Sequence, residues 1–188
     1  MNIPMPNSEI FHGELMLFRD QRIAEIVRGM LNELVPPYFF VISASATGKY
    51  HPWPSLGYGG LVRHTKAAFK LAYDLMQLEQ YSHLNYDCVL AALLLHDTFK
   101  RGKTCSQYTV AEHPLIAADE IMSWANKNVN QDYLETVSKI CDLISTHSGQ
   151  WNEVASKPLL PKPITDEQKF VHLCDYLASR RYIIIEVG

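Results

Sequence analysis

The chain has 188 residues, of which 47% are hydrophobic and 20% charged, enough for one domain with a sizeable core and too apolar for a disordered protein. Its 17 basic and 20 acidic side chains leave a formal net charge of -3, which excludes a strongly basic nucleic-acid coat and an acidic solvating tail. The longest apolar run, Cys88 to Leu95, is too short to span a bilayer, and no Lys or Arg precedes Arg19, so neither a membrane span nor a secretory signal is expected and the cytosol is the expected compartment.

Helical periodicity runs through most of the chain. Ile23, Ile26, Val27, Met30, Leu31 and Leu34 recur at three- and four-residue steps and predict a first helix over 21–34, stopped by Pro36-Pro37. Residues 38–60 contain SASATGKYHPWPSLGYGG, whose Gly, Pro and Ser forbid a long regular element. A long ordered loop is expected there. Its aromatics Tyr50, Trp53 and Tyr58 either stack a base or pack against the first helix.

The next stripe is Leu61, His64, Ala68, Leu71, Leu75 and Leu78, which turns His64 inward. Cys88 to Lys100 follows, apolar on every face and so buried all round, with His96-Asp97 at its C-terminal end and Gly102 beyond it. In EHP, Pro114 suits the first helical position and leaves His113 as the N-cap of a helix reaching about Ala125. Tyr133, Val137, Ile140, Ile144 and His147 mark one face of a helix over 132–147, ended by Ser148-Gly149.

WNEVASKPLLPKP holds three prolines and reads as loop. Thr165 and Gln168 then form a capping-box signature for a last helix running to about Arg181, with Asp175 on its apolar stripe. The closing RYIIIEV reads as a strand or a hydrophobic tail. The class is all-α, one domain over 1–188, with an N-terminal helix and loop over 1–60 and a helical core over 61–182.

The four cysteines (Cys88, Cys105, Cys141, Cys174) form no CxxC pair, and three lie within apolar helical patterns, so reduced core thiols are expected. Histidine is the unusual residue, with eight in the chain. His64, His96, Asp97, His147 and Asp175 fall on apolar stripes or at the end of a buried helix, and His113 sits at a helix start. Burying an unpaired charge costs several kcal/mol, so these groups need partners, and a metal ion supplies one. A lone inward His is more often a satisfied core residue. The adjacent His-Asp pair beside Leu93, Leu94 and Leu95 is the stronger signal, and Asp175 repeats the anomaly independently. Imidazole with carboxylate suits Mn, Fe, Co, Ni and Zn better than calcium. His12, His83 and His172 read as ordinary, and His51 is undecided.

The order His64, His96-Asp97, His113, His147, Asp175 on separate helices resembles the HD-domain superfamily of metal-dependent phosphohydrolases, whose fold is an HD-domain helical bundle. SASATGKYHPWPSLGYGGLVRHT, LLHDTFKRG, AEHPLIAADEI, ISTHSGQW and HLCDYLASR are more particularly similar to the HD domain of bacterial YhaM-type 3'-to-5' exoribonucleases. The resemblance implies one ion on His64, His96, Asp97 and Asp175, and a second on His113 and His147 with Asp97 bridging. One or two divalent ions (Mn, Fe, Co, Ni or Zn, with Mg also accepted) are the implied cofactors. Two features depart from the family. Phe99 stands where many relatives have Gly, which is expected to reshape the pocket entrance. About 40 residues ahead of the loop are too few for the OB-type domain of the exoribonucleases.

The implied activity is hydrolysis of a phosphate ester by metal-activated water, as a phosphodiesterase or nucleotidase, with Asp97 and Lys100 catalytic and Lys100, Arg63 and Arg180 binding substrate. With no continuous basic track, a small nucleotide or short oligonucleotide is the expected partner. The rival readings are a di-iron oxygenase, which the superfamily also contains, and a non-catalytic nucleotide-binding module.

Overall fold

In the computed structural model, which describes residues 7–154 and 157–187, the regular structure is almost wholly helical. The helices are α1 (His12–Leu15), α2 (Gln21–Glu33), α3 (Gly60–Leu75), α4 (Tyr86–Leu95), α5 (His113–Asn128), α6 (Gln131–Ser145) and α7 (Asp166–Ala178), with short 3₁₀ turns at Asn7–Phe11, Pro37–Phe40, Trp53–Ser55 and Glu79–Tyr81. Among the described residues the one extended pairing is antiparallel, Glu153–Val154 with Lys157–Pro158. It falls in the segment expected as loop, of which residues 155 and 156 lie outside the described residues.

The helix starts follow local chemistry. Side-chain oxygens of Asp20, Asn85 and Asn130 accept from the first free backbone N–H groups of α2, α4 and α6, and Thr165 with Gln168 completes the expected capping box on α7. Gly59, at φ 67°, makes the left-handed step into α3. Gly60 follows because a Cβ there would lie 2.3 Å from the Ser55 carbonyl oxygen. The loop therefore packs its backbone directly on the start of the helix carrying His64.

The centre of the molecule is α4, whose residues Cys88 to Leu95 are all buried. It packs against α3, α6, α7 and α2, while α5 lies along α6 and α3 along α7. Burying each leucine of Leu93-Leu94-Leu95 contributes roughly 1.5–3 kcal/mol, and this fixes where the next two residues, His96 and Asp97, must sit.

Several boundaries differ from the sequence expectations. α4 stops at Leu95 with His96 as its C-cap, and 97–105 continue as turns. α3 ends at Leu75, leaving Leu78 outside it and exposed. His113 is the first helical residue of α5 rather than its N-cap, because Glu112 takes the cap position. α6 ends two residues before His147, and α7 ends at Ala178, so Arg180 lies past the helix. RYIIIEV forms no strand; Ile185 and Val187 pack on the core. Phe99 is a buried core residue and does not shape a pocket entrance. Tyr50, Trp53 and Tyr58 are 56%, 72% and 79% exposed, which overturns packing of these rings against the first helix.

Candidate metal centre

Six side chains from five elements converge at the C-terminal end of α4. His64 comes from the middle of α3, His96 and Asp97 from the end of α4, His113 from the start of α5, His147 from the turn after α6, and Asp175 from α7. All are buried except Asp175, whose side chain is 19% exposed and opens onto a cleft. His64 Nε2 lies 3.0 Å from Asp175 Oδ1 and 3.5 Å from Asp97 Oδ2. His96 Nε2 lies 3.4 Å from Asp97 Oδ2 and 3.5 Å from Asp175 Oδ1. On the other side of Asp97, its Oδ1 is 3.0 Å from His113 Nε2 and 3.8 Å from His147 Nε2. Each carboxylate oxygen of Asp97 thus faces a different pair of imidazoles.

Three of the imidazoles are aimed by the same device. Nδ1 of His96, His113 and His147 lies 2.8, 2.8 and 2.7 Å from the carbonyl oxygens of Leu93, Val110 and Ile144. A carbonyl only accepts, so each Nδ1 carries the proton and Nε2 turns into the site as the ligand atom. The Nε2 atoms of His113 and His147 stand 3.2 Å apart. Burial and the neighbouring His96 and His113 hold His147 neutral, its pKa lowered to about 3, so its Nε2 presents a lone pair where a cation is needed. Two groups, His64/His96/Asp175 and His96/Asp97/His147, have ligand atoms mutually close enough to hold an ion.

The electrostatics point the same way. Burial opposes ionisation of Asp97, but Lys100 and the surrounding histidines outweigh it and keep the carboxyl well below the usual range. His64 and His96 do the same for Asp175 against its own burial. Burial likewise opposes protonation of His96, yet the two carboxylates overcome it and raise the imidazole to about 10. The carboxylate pair therefore attracts positive charge strongly, and an ion held there would take the place of that proton. The donor set of imidazoles and carboxylates fits a first-row divalent ion.

Lys100 Nζ sits 2.5 Å from Asp97 Oδ2, at the seam between the carboxylate and the cleft. The turn carrying it is pinned by Tyr38, whose hydroxyl donates to the Gly102 carbonyl at 2.7 Å and accepts from the Arg101 backbone N–H. Arg180 reaches the same cleft. Arg63 does not: its guanidinium donates to the carbonyls of Pro54, Leu56 and Tyr58 and lines a separate groove. Its charge is committed to tying the loop onto α3, which corrects the substrate-binding role expected for it.

Three further residues belong to the site. The His51 ring stands 5.0 Å from that of His64 and lines the cleft; burial, helped by His64, lowers it to about 3. His172 donates from Nδ1 to the His147 carbonyl at 2.8 Å, and its ring fills the space where a Cβ on Gly149 would fall. It is three residues before Asp175 on α7, a spacing that puts the two on neighbouring positions of one helix face. Trp151, 53% exposed at the cleft mouth, stacks on Tyr176 with ring centroids 5.6 Å apart and planes at 16°. His12 and His83 are not part of the cluster; His83 pairs with Asp166 on the surface.

The family model for the HD domain matches residues 61–180, the stretch that carries all six converging side chains. The chain belongs to the HD-domain family. No curated protein and no solved structure gives a significant match. Among the described residues no helix is long and apolar enough to cross a membrane.

Proposed function

We propose that the protein is a metal-dependent phosphoric ester hydrolase acting on nucleotides or short oligonucleotides, as a phosphodiesterase or nucleotidase. The observation that carries this reading is the position of Asp97, with one carboxylate oxygen toward His64 and His96 and the other toward His113 and His147. Asp97 is the group that two ions would share, with His64, His96 and Asp175 on one side and His113 and His147 on the other. Bound there, divalent ions lower the pKa of water and neutralise charge on phosphoryl oxygens.

The chain's own residues supply the rest. Lys100 presents an ammonium at the seam between Asp97 and the cleft, where positive charge meets a phosphoryl oxygen in a partly water-excluded site. Arg180 is held at the mouth by hydrogen bonds to the Tyr176 carbonyl and the Ser179 hydroxyl, within reach of an anionic substrate in the cleft. The cleft volume, about 390 Å³, is at the small end of ligand pockets and suits a nucleotide better than a polymer. The likeness of the sequence motifs to YhaM-type HD domains favours the same substrate class.

Hydrolysis of nucleoside monophosphates, cyclic nucleotides, short RNA and short DNA by protein carrying its native metal tests the reading. Release of phosphate or of a shorter product, abolished by Asp97→Ala, supports it. Turnover that strictly requires iron and O2 would contradict it and favour the oxygenase chemistry found elsewhere in the superfamily.

A further inference from the structure

The cleft over the metal centre has two lobes. The first, about 390 Å³, is lined by Trp151, Ser148, Ser179 and Arg180 above the converging ligands. A second, about 310 Å³, lies beside it and is lined by Ser45, Thr47 and Tyr108. Tyr50, His51, Lys100 and Thr109 line both, so the lobes meet at the one lysine that also touches Asp97. Among the described residues neither lobe has an acidic side chain in its wall apart from Asp97 and Asp175 of the proposed metal centre. Each has an exposed aromatic: Trp151 in the first, Tyr108, 58% exposed, in the second, with Tyr50 at the junction.

Trp151 is braced as a platform. Tyr176 stacks against it, and the Arg180 guanidinium lies 4.0 Å over the Tyr176 ring. A base laid on the indole therefore meets a surface whose orientation is set by α7. A phosphate monoester bound this way ends at the junction and leaves the second lobe without a role. A diester continues through it.

We propose that the second lobe is a leaving-group subsite, and that the substrate is a short phosphodiester with a ring-bearing nucleoside on each side of the scissile phosphate. This rests on the hydrolytic reading above and narrows it from nucleotides or short oligonucleotides, cut as monoesters or diesters, to dinucleotide-type diesters. Water adds to phosphorus as the bond to the leaving nucleoside's oxygen breaks. That oxygen takes up a proton from the water, giving a nucleotide monoester in the first lobe and a nucleoside hydroxyl in the second. Base identity matters little, because stacking on an aromatic face accepts every base.

The test is titration calorimetry of the full chain with two slowly hydrolysed probes, a phosphorothioate-linked adenylyl-adenosine and adenosine monophosphorothioate. The dinucleotide is expected to bind about ten-fold tighter, the contribution of one stacked base, and Tyr108→Ala to remove that preference. Trp151→Ala is expected to weaken both probes by a similar about ten-fold factor. Both side chains are more than half exposed, so the variants keep the fold. Equal affinity of the wild type for both probes, or equal weakening of both by Tyr108→Ala, would overturn the second subsite. Turnover of adenylyl-adenosine is followed in parallel: binding preference without hydrolysis contradicts the hydrolytic reading alone, and the affinities still decide the subsite.

Discussion

The two halves of the proposed ligand set share Asp97 but are built differently. His64 and Asp175 lie within α3 and α7, and His96 caps α4 with helical backbone angles, so the backbone hydrogen-bond ladder holds them. His113 and His147 lie at the first residue of α5 and two residues beyond α6, where that ladder has run out. They are held by local turn contacts: backbone N–H and ring Nδ1 of each donate to one carbonyl, of Val110 or Ile144, and His172 donates to the His147 carbonyl. The first half also carries a carboxylate of its own, Asp175, whereas the second has only its share of Asp97. A rigid, charge-rich half beside a lighter, contact-held half implies that the first ion binds more tightly than the second.

The comparison breaks most severely at the residue the halves share. Asp97→Ala is expected to lose both ions and to lower hydrolysis on the order of a thousand-fold or more, the equivalent of several kcal/mol of transition-state stabilisation. Metal analysis beside the rate measurement checks it, and retention of both ions would show that Asp97 is not the bridge.

The lighter half is open to a structural attack that leaves every ligand in place. Gly149 adopts φ 59°, and a Cβ there would lie 2.2 Å from the His172 ring. Gly149→Ala is expected to cost about 3 kcal/mol from the left-handed backbone and the displaced ring together, which lowers Tm by roughly 10 °C at this chain size. Thermal unfolding measures it, and a Tm within experimental error of wild type would mean that His172 moves aside freely.

A milder change sharpens the contrast. His172→Phe keeps an aromatic ring under Gly149 but removes the donor to the His147 carbonyl. Affinity for the second ion is expected to fall about 10- to 100-fold, as for other supporting contacts of metal ligands, with the first ion held as before. Competition with a metal indicator reads the two sites separately, and equal weakening of both ions would erase the distinction between the halves.

A last expected effect is on pH dependence in protein stripped by a chelator. His51 and His147, lowered to about 3, stay neutral in the fold while the unfolded chain takes up protons below about 6.5. The unfolded state then binds more protons, so their stabilising share is complete above about 6.5 and is lost as pH falls toward 3. Asp97 and Asp175, also lowered, reinforce that acid arm at its lower end. His96, raised to about 10, works in reverse: its share is complete below about 6.5 and is lost as pH rises through 10. Melting temperature should therefore peak near pH 6.5 without metal; a Tm that rises steadily from pH 6 to 10 would contradict the balance at His96.

Five of the six converging residues are legible in the sequence because each is a polar group on an apolar stripe or at the end of a buried helix, while His113 is marked by Pro114, which places it at a helix start. His96-Asp97 directly after Leu93-Leu94-Leu95 is the clearest instance, since no ordinary core places a carboxylate there. Helix ends shifted by a few residues, as at α4 and α7, because capping and turn geometry compete with the apolar stripe near a terminus. Arg63 departs from the phosphate role its type suggests because its partners are backbone carbonyls of a loop with no sequence signature for their direction. The parts played by His172 and Trp151 are hidden in the sequence for a related reason. Their roles arise where the turn after α6 meets α7, a long-range contact that periodicity along one segment does not reveal. The three-residue spacing from His172 to Asp175 was the available hint.

The most direct test is the metal content of the full chain as purified without added metal, set beside that of His147→Ala. Two equivalents of a first-row transition metal in the wild type and one in the variant are expected from a dinuclear centre bridged by Asp97. One equivalent or none in the wild type, or an unchanged content in His147→Ala, would contradict it.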